Sequence, residues 1–174
     1  FETVNQTICA DQIPGNALCR IYEWPKLAAF LAAVTGTGRL YPMSDPLARV
    51  NIMAYRAGEA LNWHFDRTDF SVTLSMQIAD SGGDFEYAPL LRRPGDENYD
   101  GVSRTLGGAR DTVQRLDFPP GTLAVFRGHN SLHRVTPVRG PRARIAAVLS
   151  YVREPGVTFT SYAQKLFYGR SDGA

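Results

Sequence analysis

Histidine is scarce in this 174-residue chain, which has three copies: His64, His129 and His133. Each one therefore needs its own explanation. Lysine is scarcer still, Lys26 and Lys165, so arginine supplies the other 17 of 19 cations, a skew read as compositional. The two cysteines, Cys9 and Cys19, fit no metal-ligand spacing and are too few for a disulfide framework, which points to a reducing, cytoplasmic setting. Asn5-Gln6-Thr7 fits the glycan acceptor pattern, a tripeptide common by chance. No apolar run approaches the roughly 20 residues that cross a bilayer, and nothing reads as a signal peptide. There is no strong charge excess either: a net +2 argues against nucleic acid, an anionic membrane or an acidic partner. Methionine is missing from position 1, where Phe stands, so the expectation is that an N-terminal segment of the fold precedes this chain.

What is present is a globular composition, 44% hydrophobic and 21% charged, at a length that suits one domain over 1–174. One helix is predicted early. Pro25 suits its first turn, Leu27, Phe30, Leu31 and Val34 fall at helical spacing as an apolar stripe, and Gly36 stops it. Strand-like runs bounded by Gly and Pro then dominate, over 49–55, 61–65, 71–78, 84–87, 122–126, 132–138 and 144–152. Short strands with turns between them, and no alternating helices, predict a mainly β fold of sandwich or jelly-roll type. The segment 89–115 interrupts them as a polar insertion with a short helix over 97–106, capped by Asp96 and stopped by Gly107. It reads equally as a binding loop or as a solvated excursion.

Alternation along the strand puts His64 and Asp66 on one face and Trp63 and Phe65 on the other. His133 lies 69 positions after His64 in a second strand-like run. If the two strands face each other, two imidazoles and a carboxylate meet at one point. Such a set covers one face of an octahedron and leaves three positions open, the arrangement of non-haem Fe(II) oxygenases. Zinc, which prefers a tetrahedral site, is the second choice of metal, and structural histidines are the alternative to any metal. His129 reads as a loop or rim residue. In the polar face Thr73, Ser75 and Gln77, a pocket lining and a solvated surface look alike.

Downstream of His133 a Gly140-Pro141 turn leads to Arg144 at the start of an apolar strand, where a guanidinium can clamp a carboxylate through two parallel hydrogen bonds. Arg142 is the alternative. At this point the chain resembles the Fe(II)/2-oxoglutarate-dependent oxygenases from about Asn51 to Tyr151. The resemblance rests on Asn51-Ile52-Met53-Ala54-Tyr55, Trp63-His64-Phe65-Asp66, Gly82-Gly83-Asp84-Phe85-Glu86-Tyr87, Pro120-Gly121-Thr122-Leu123 and the run from His133 to Arg144. Within them, His64-Phe65-Asp66-Arg67-Thr68-Asp69-Phe70 and Asp96-Glu97-Asn98-Tyr99-Asp100 are similar to the bacterial subgroup of free-amino-acid halogenases and hydroxylases.

That resemblance implies a double-stranded β-helix (jelly roll, cupin-like) with flanking helices, Fe(II) held by His64, Asp66 and His133, and O2 and 2-oxoglutarate as co-substrates. It implies that Arg144 binds the distal carboxylate of 2-oxoglutarate, with Tyr55 and Asn51 as further co-substrate contacts. Halogenases of the subgroup replace the carboxylate ligand with a small residue, which frees a position for halide. Here Asp66 remains, so the expectation is hydroxylation of a small-molecule C–H, a free amino acid or related metabolite, with release of succinate and CO2. A peptidyl or protein hydroxylase and a non-catalytic ligand-binding jelly roll are the alternatives. Arg67, Asp69, Asp84 and Glu86 are all available to bind an amino acid, and the residues do not choose among them.

Overall fold

The computed structural model describes residues 4–68 and 70–172, so Phe1 and Asp69, both named above, lie outside the described residues. The chain runs through β1 (Gln6–Cys9), α1 (Ala17–Tyr22), α2 (Pro25–Thr35), β2 (Tyr41–Pro42), β3 (Val50–Tyr55), β4 (Leu61–His64), β5 (Ser71–Gln77), β6 (Ser81–Gly82) and β7 (Phe85–Ala88). It continues with α3 (Tyr99–Leu106), β8 (Gln114–Leu116), β9 (Leu123–Phe126), β10 (Leu132–Val135), β11 (Val138–Arg139), β12 (Arg144–Leu149), β13 (Tyr151–Val152) and α4 (Ser161–Tyr168). Two antiparallel sheets, in the orders β1-β3-β12-β5-β9 and β4-β10-β7-β8, form the expected mainly β jelly roll.

One face of the larger sheet lies under α1 and α2. Val50, Val72, Ala147 and Leu149 meet Leu18, Tyr22, Leu27 and Leu31 there. The other face looks onto the smaller sheet, where Tyr55, Met53 and Phe126 pack with Phe85, Val135 and Leu61. This arrangement decides the alternation in β5. Its apolar residues Val72 and Leu74 go to the helices, so Ser71, Thr73 and Ser75 are buried between the sheets. A polar row between two sheets is unusual unless a ligand cavity lies there.

Helix α2 has its predicted start and stop, with Pro25 at the first turn and Gly36 as cap. Its stripe is narrower than the spacing predicts. Leu27 and Leu31 are buried, at 9% and 0% exposure, whereas Phe30 and Val34 are exposed at 55% and 57%. The helix rests on the sheet along the Leu27–Leu31 line and turns its next row to solvent. Helix α3 begins at Tyr99 behind Asn98, whose side chain accepts from the Gly101 N–H. Asp96, the predicted cap, instead accepts from the Asn98 N–H. The predicted strand over 132–138 is divided at Thr136-Pro137, and the one over 144–152 is divided at Ser150, where the chain leaves the large sheet so that β13 pairs with β2. Two helices were not legible in advance. Helix α4 is anchored by Asp45, fully buried, which accepts from the Leu47, Ala48 and Phe159 N–H groups and from the Gln164 amide.

Candidate metal centre

His64 is the last residue of β4, and His133 sits opposite it in β10. The smaller sheet thus joins two positions far apart in sequence. Asp66 lies just past the end of β4 rather than within a strand, because its N–H donates to the Gly128 carbonyl instead of continuing the ladder. One carboxylate oxygen, Oδ1, lies 3.5 Å from Nε2 of His64 and 3.5 Å from Nε2 of His133. One donor atom from each of the three residues lies within 4.8 Å of the others, a group that fits a metal ion.

The ring protons are placed to suit that role. Nδ1 of His64 is 2.8 Å from the Asn62 carbonyl, and Nδ1 of His133 is 2.9 Å from the Ser131 carbonyl. A carbonyl can only accept, so each Nδ1 carries a proton, and each Nε2 is left turned toward Asp66, able to present a proton to the carboxylate or a lone pair to a cation. The edge of Phe126 packs against the His133 ring at 4.9 Å, and Phe85 lies 5.6 Å from it. Burial would push the Asp66 carboxyl up, but hydrogen bonds from His133, His64 and Ser71 outweigh it and hold the group far below the usual carboxylate range. The carboxyl therefore stays ionised beside the two rings.

Trp63 and Phe65 project away from the donors, as alternation predicts. The guanidinium of Arg134 lies 4.7 Å from the Trp63 ring, and that of Arg92 lies 4.0 Å from Phe65. Part of the arginine excess thus covers aromatic rings.

Arg144 begins β12, paired with Tyr55 across the ladder. It is 6% exposed and, among the described residues, forms no ion pair within 4.0 Å. Its guanidinium sits 5.5 Å from the Tyr55 ring and 6.0 Å from Phe118. Burial lowers its pKa, and Tyr55 and the Asp84 carboxylate offset only part of that. Gly83 makes room for it, because a Cβ there would stand 3.2 Å from Arg144 Cδ. Arg142, by contrast, is exposed in the preceding turn, where its N–H donates to Asp80. Tyr55 is fully buried, its phenol pushed up to about 12 by desolvation, and among the described residues its hydroxyl has the Met53 sulfur, at 3.8 Å, as partner.

Asn51 is not brought into this group. Its amide donates to the Leu47 and Val50 carbonyls, and its oxygen accepts from the Tyr168 hydroxyl at 3.0 Å. Those bonds commit it to holding α4 against β3. His129 is exposed in the loop before β10, as expected of a rim residue, but its Nδ1 lies 3.2 Å from the Asp66 carbonyl oxygen.

The chain matches the family model of halogenase D (HalD) over residues 1–162. It belongs to the halogenase D family. No curated protein matches it by sequence. Among solved structures, this halogenase D family member is similar to an oxidoreductase of the 2OG-Fe(II) oxygenase family from Burkholderia pseudomallei, at 16% identity and a TM-score of 0.59, over 89% of this chain and 76% of that one. It is similar as well to AviO1 from Streptomyces viridochromogenes Tue57, at 17% identity and 0.59, over 87% and 68%. A third likeness is to EctD from S. alaskensis, at 17% identity and 0.61, over 90% and 61%. At such identities these likenesses establish the fold, that of the Fe(II)/2-oxoglutarate oxygenases. Fold and donor set together support Fe(II) and 2-oxoglutarate as cofactor and co-substrate of this halogenase D family member.

Proposed function

We propose that this halogenase D family member is a hydroxylase of an unactivated C–H bond in a small molecule, a free amino acid or related metabolite, in a cytoplasmic setting. The balanced reaction takes R–H, 2-oxoglutarate and O2 to R–OH, succinate and CO2. The observation that carries this reading is Asp66. A carboxylate oxygen 3.5 Å from both imidazole nitrogens would take the position that a halide needs. Despite the family's name, the donor set supports hydroxylation.

Iron, when bound, supplies O2 activation coupled to decarboxylation of the co-substrate. The chain's own residues do the rest. His64, Asp66 and His133 present three donors on one side. Arg144 offers two parallel N–H donors to the distal carboxylate of 2-oxoglutarate, and that carboxylate relieves its buried, anion-poor environment. Tyr55 flanks the guanidinium, with a phenol that stays protonated and able to donate. Phe85, Phe118 and Phe126 keep water from the space between Arg144 and the imidazoles.

The charged residues near the site are now unequal. Asp84 is paired with Arg115 at 2.8 Å, and Glu86 with Arg134 at 2.7 Å. Arg67, next to Asp66, is exposed, lies 5.5 Å from the Phe167 ring and pairs with no acid among the described residues. It is the cation best placed to receive a substrate carboxylate. The test is succinate release, with Fe(II) and 2-oxoglutarate, across a panel of free amino acids and peptides. Stimulation by one free amino acid and a product heavier by one oxygen supports the reading. Turnover on peptides alone, or a chlorinated product in chloride buffer, overturns it.

A further inference from the structure

Asp66 is held by Ser71 and by the loop at Gly128-His129 as well as by the two imidazoles. Its Oδ2 accepts a hydrogen bond from the Ser71 hydroxyl, which leaves Oδ1 turned to the two imidazoles. Its N–H donates to the Gly128 carbonyl at 3.1 Å. The Nδ1 of His129 lies 3.2 Å from the Asp66 carbonyl oxygen, with the Arg92 guanidinium 3.4 Å from the same nitrogen. Gly128 has no room for a side chain, since a Cβ there would stand 2.7 Å from Asp66 Cγ and 2.8 Å from Ser71 Oγ. The next turn of the same loop, Ser131, supplies the carbonyl that orients His133.

We propose that Ser71 is a positioning residue that selects which oxygen of Asp66 faces the metal, in a cradle closed behind it by Gly128. The inference rests on the triad reading above. A carboxylate free to rotate can turn Oδ1 away from the imidazoles, which would cost a cation a pre-oriented donor. With Oδ2 committed to Ser71, Asp66 presents Oδ1 alone, and the positions that 2-oxoglutarate and O2 would need stay open. Among the described residues the hydroxyl has no other hydrogen-bond partner: Ser71 starts β5, and its side chain faces the space between the sheets rather than the helix-packed core.

The test is Mn(II) binding to the full chain, read from the loss of the free-ion electron paramagnetic resonance signal, for the parent, S71A, S71T, G128A, H133A and D66N. Outer partners of metal ligands are worth about 10–100-fold in affinity. S71A is expected to weaken Mn(II) binding by about 10-fold or more, S71T to restore it, and G128A to weaken it further. In a D66N background, S71A should have no additional effect, which a general packing role would not predict. The apo thermal midpoint of S71T serves as the folding control should S71A be unstable. Parental Mn(II) affinity in S71A, or an equal loss from S71A with and without Asp66, overturns the proposal while leaving the triad intact. A parent that binds Mn(II) no better than H133A overturns the triad reading and this inference with it.

Discussion

His64 and His133 face each other across an antiparallel strand pair with ring centroids 4.0 Å apart. Directly opposed residues in such a pair have Cβ atoms roughly 4.5–5.5 Å apart, close enough for two side chains to share one ion. Each ring is turned by the carbonyl two residues before it, so the pairing and the local strand geometry fix both donors without any further side chain.

Removal of the carboxylate is the first expectation. Asp66→Gly should cut substrate-dependent hydroxylation by more than about 100-fold, beyond the usual cost of losing an outer partner. The Fe(II) complex of the variant should become responsive to chloride, checked by mass spectrometry of products and by titration. Hydroxylation at the parental rate would show that Asp66 is not a ligand.

Arg144 and Arg142 should separate cleanly. Charge-assisted bonds contribute about 1.5–3 kcal/mol each, so losing two in R144A should weaken 2-oxoglutarate binding by about 150-fold or more while Mn(II) binding without co-substrate changes little. R142A, at an exposed turn, should behave as the parent in both titrations.

The packing of α2 makes a stability prediction. Leu31 is fully buried against the larger sheet, and truncation to Ala should cost about 2–5 kcal/mol in urea denaturation. F30A, at a site 55% exposed, should cost less than about 1 kcal/mol. Equal losses would mean that the helix rests on a different face.

Alkaline pH should unfold the protein through its buried tyrosines. Burial raises the phenols of Tyr22, Tyr151 and Tyr168 above their ordinary value, and Tyr55 to about 12. A group with a raised folded pKa contributes stability that is whole below its unfolded pKa, about 10, and is lost as pH rises through the folded value. The melting temperature should therefore fall above about pH 10. Y168F should flatten part of that slope, at a cost near neutrality of about 1 kcal/mol for the hydrogen bond to Asn51. An unchanged slope would exclude Tyr168 as a contributor.

That His64, Asp66 and His133 come together was legible from alternation and spacing along two strands, and the place of Arg144 at the head of an apolar strand from the Gly140-Pro141 turn before it. Asn51 shares a strand face with Tyr55, yet its role is set by a C-terminal helix that no periodicity announces. The polar row of β5 was ambiguous for a physical reason. Alternation shows that a strand has two faces, but which face is inside depends on what covers the other. The groups that orient the histidines were invisible in advance, since backbone carbonyls have no sequence signature. Ser71 and Gly128 reach Asp66 through the fold alone, one from a neighbouring strand and one from a distant loop.

The most direct test is an anaerobic titration of the apoprotein with Fe(II) and 2-oxoglutarate, followed by visible absorption, for the parent, H133A and R144A. A weak charge-transfer band is expected in the parent, none in H133A, and in R144A a band that needs far more 2-oxoglutarate. A parent without the band, or an H133A variant that keeps it, would mean that these residues do not hold an iron chelated by 2-oxoglutarate.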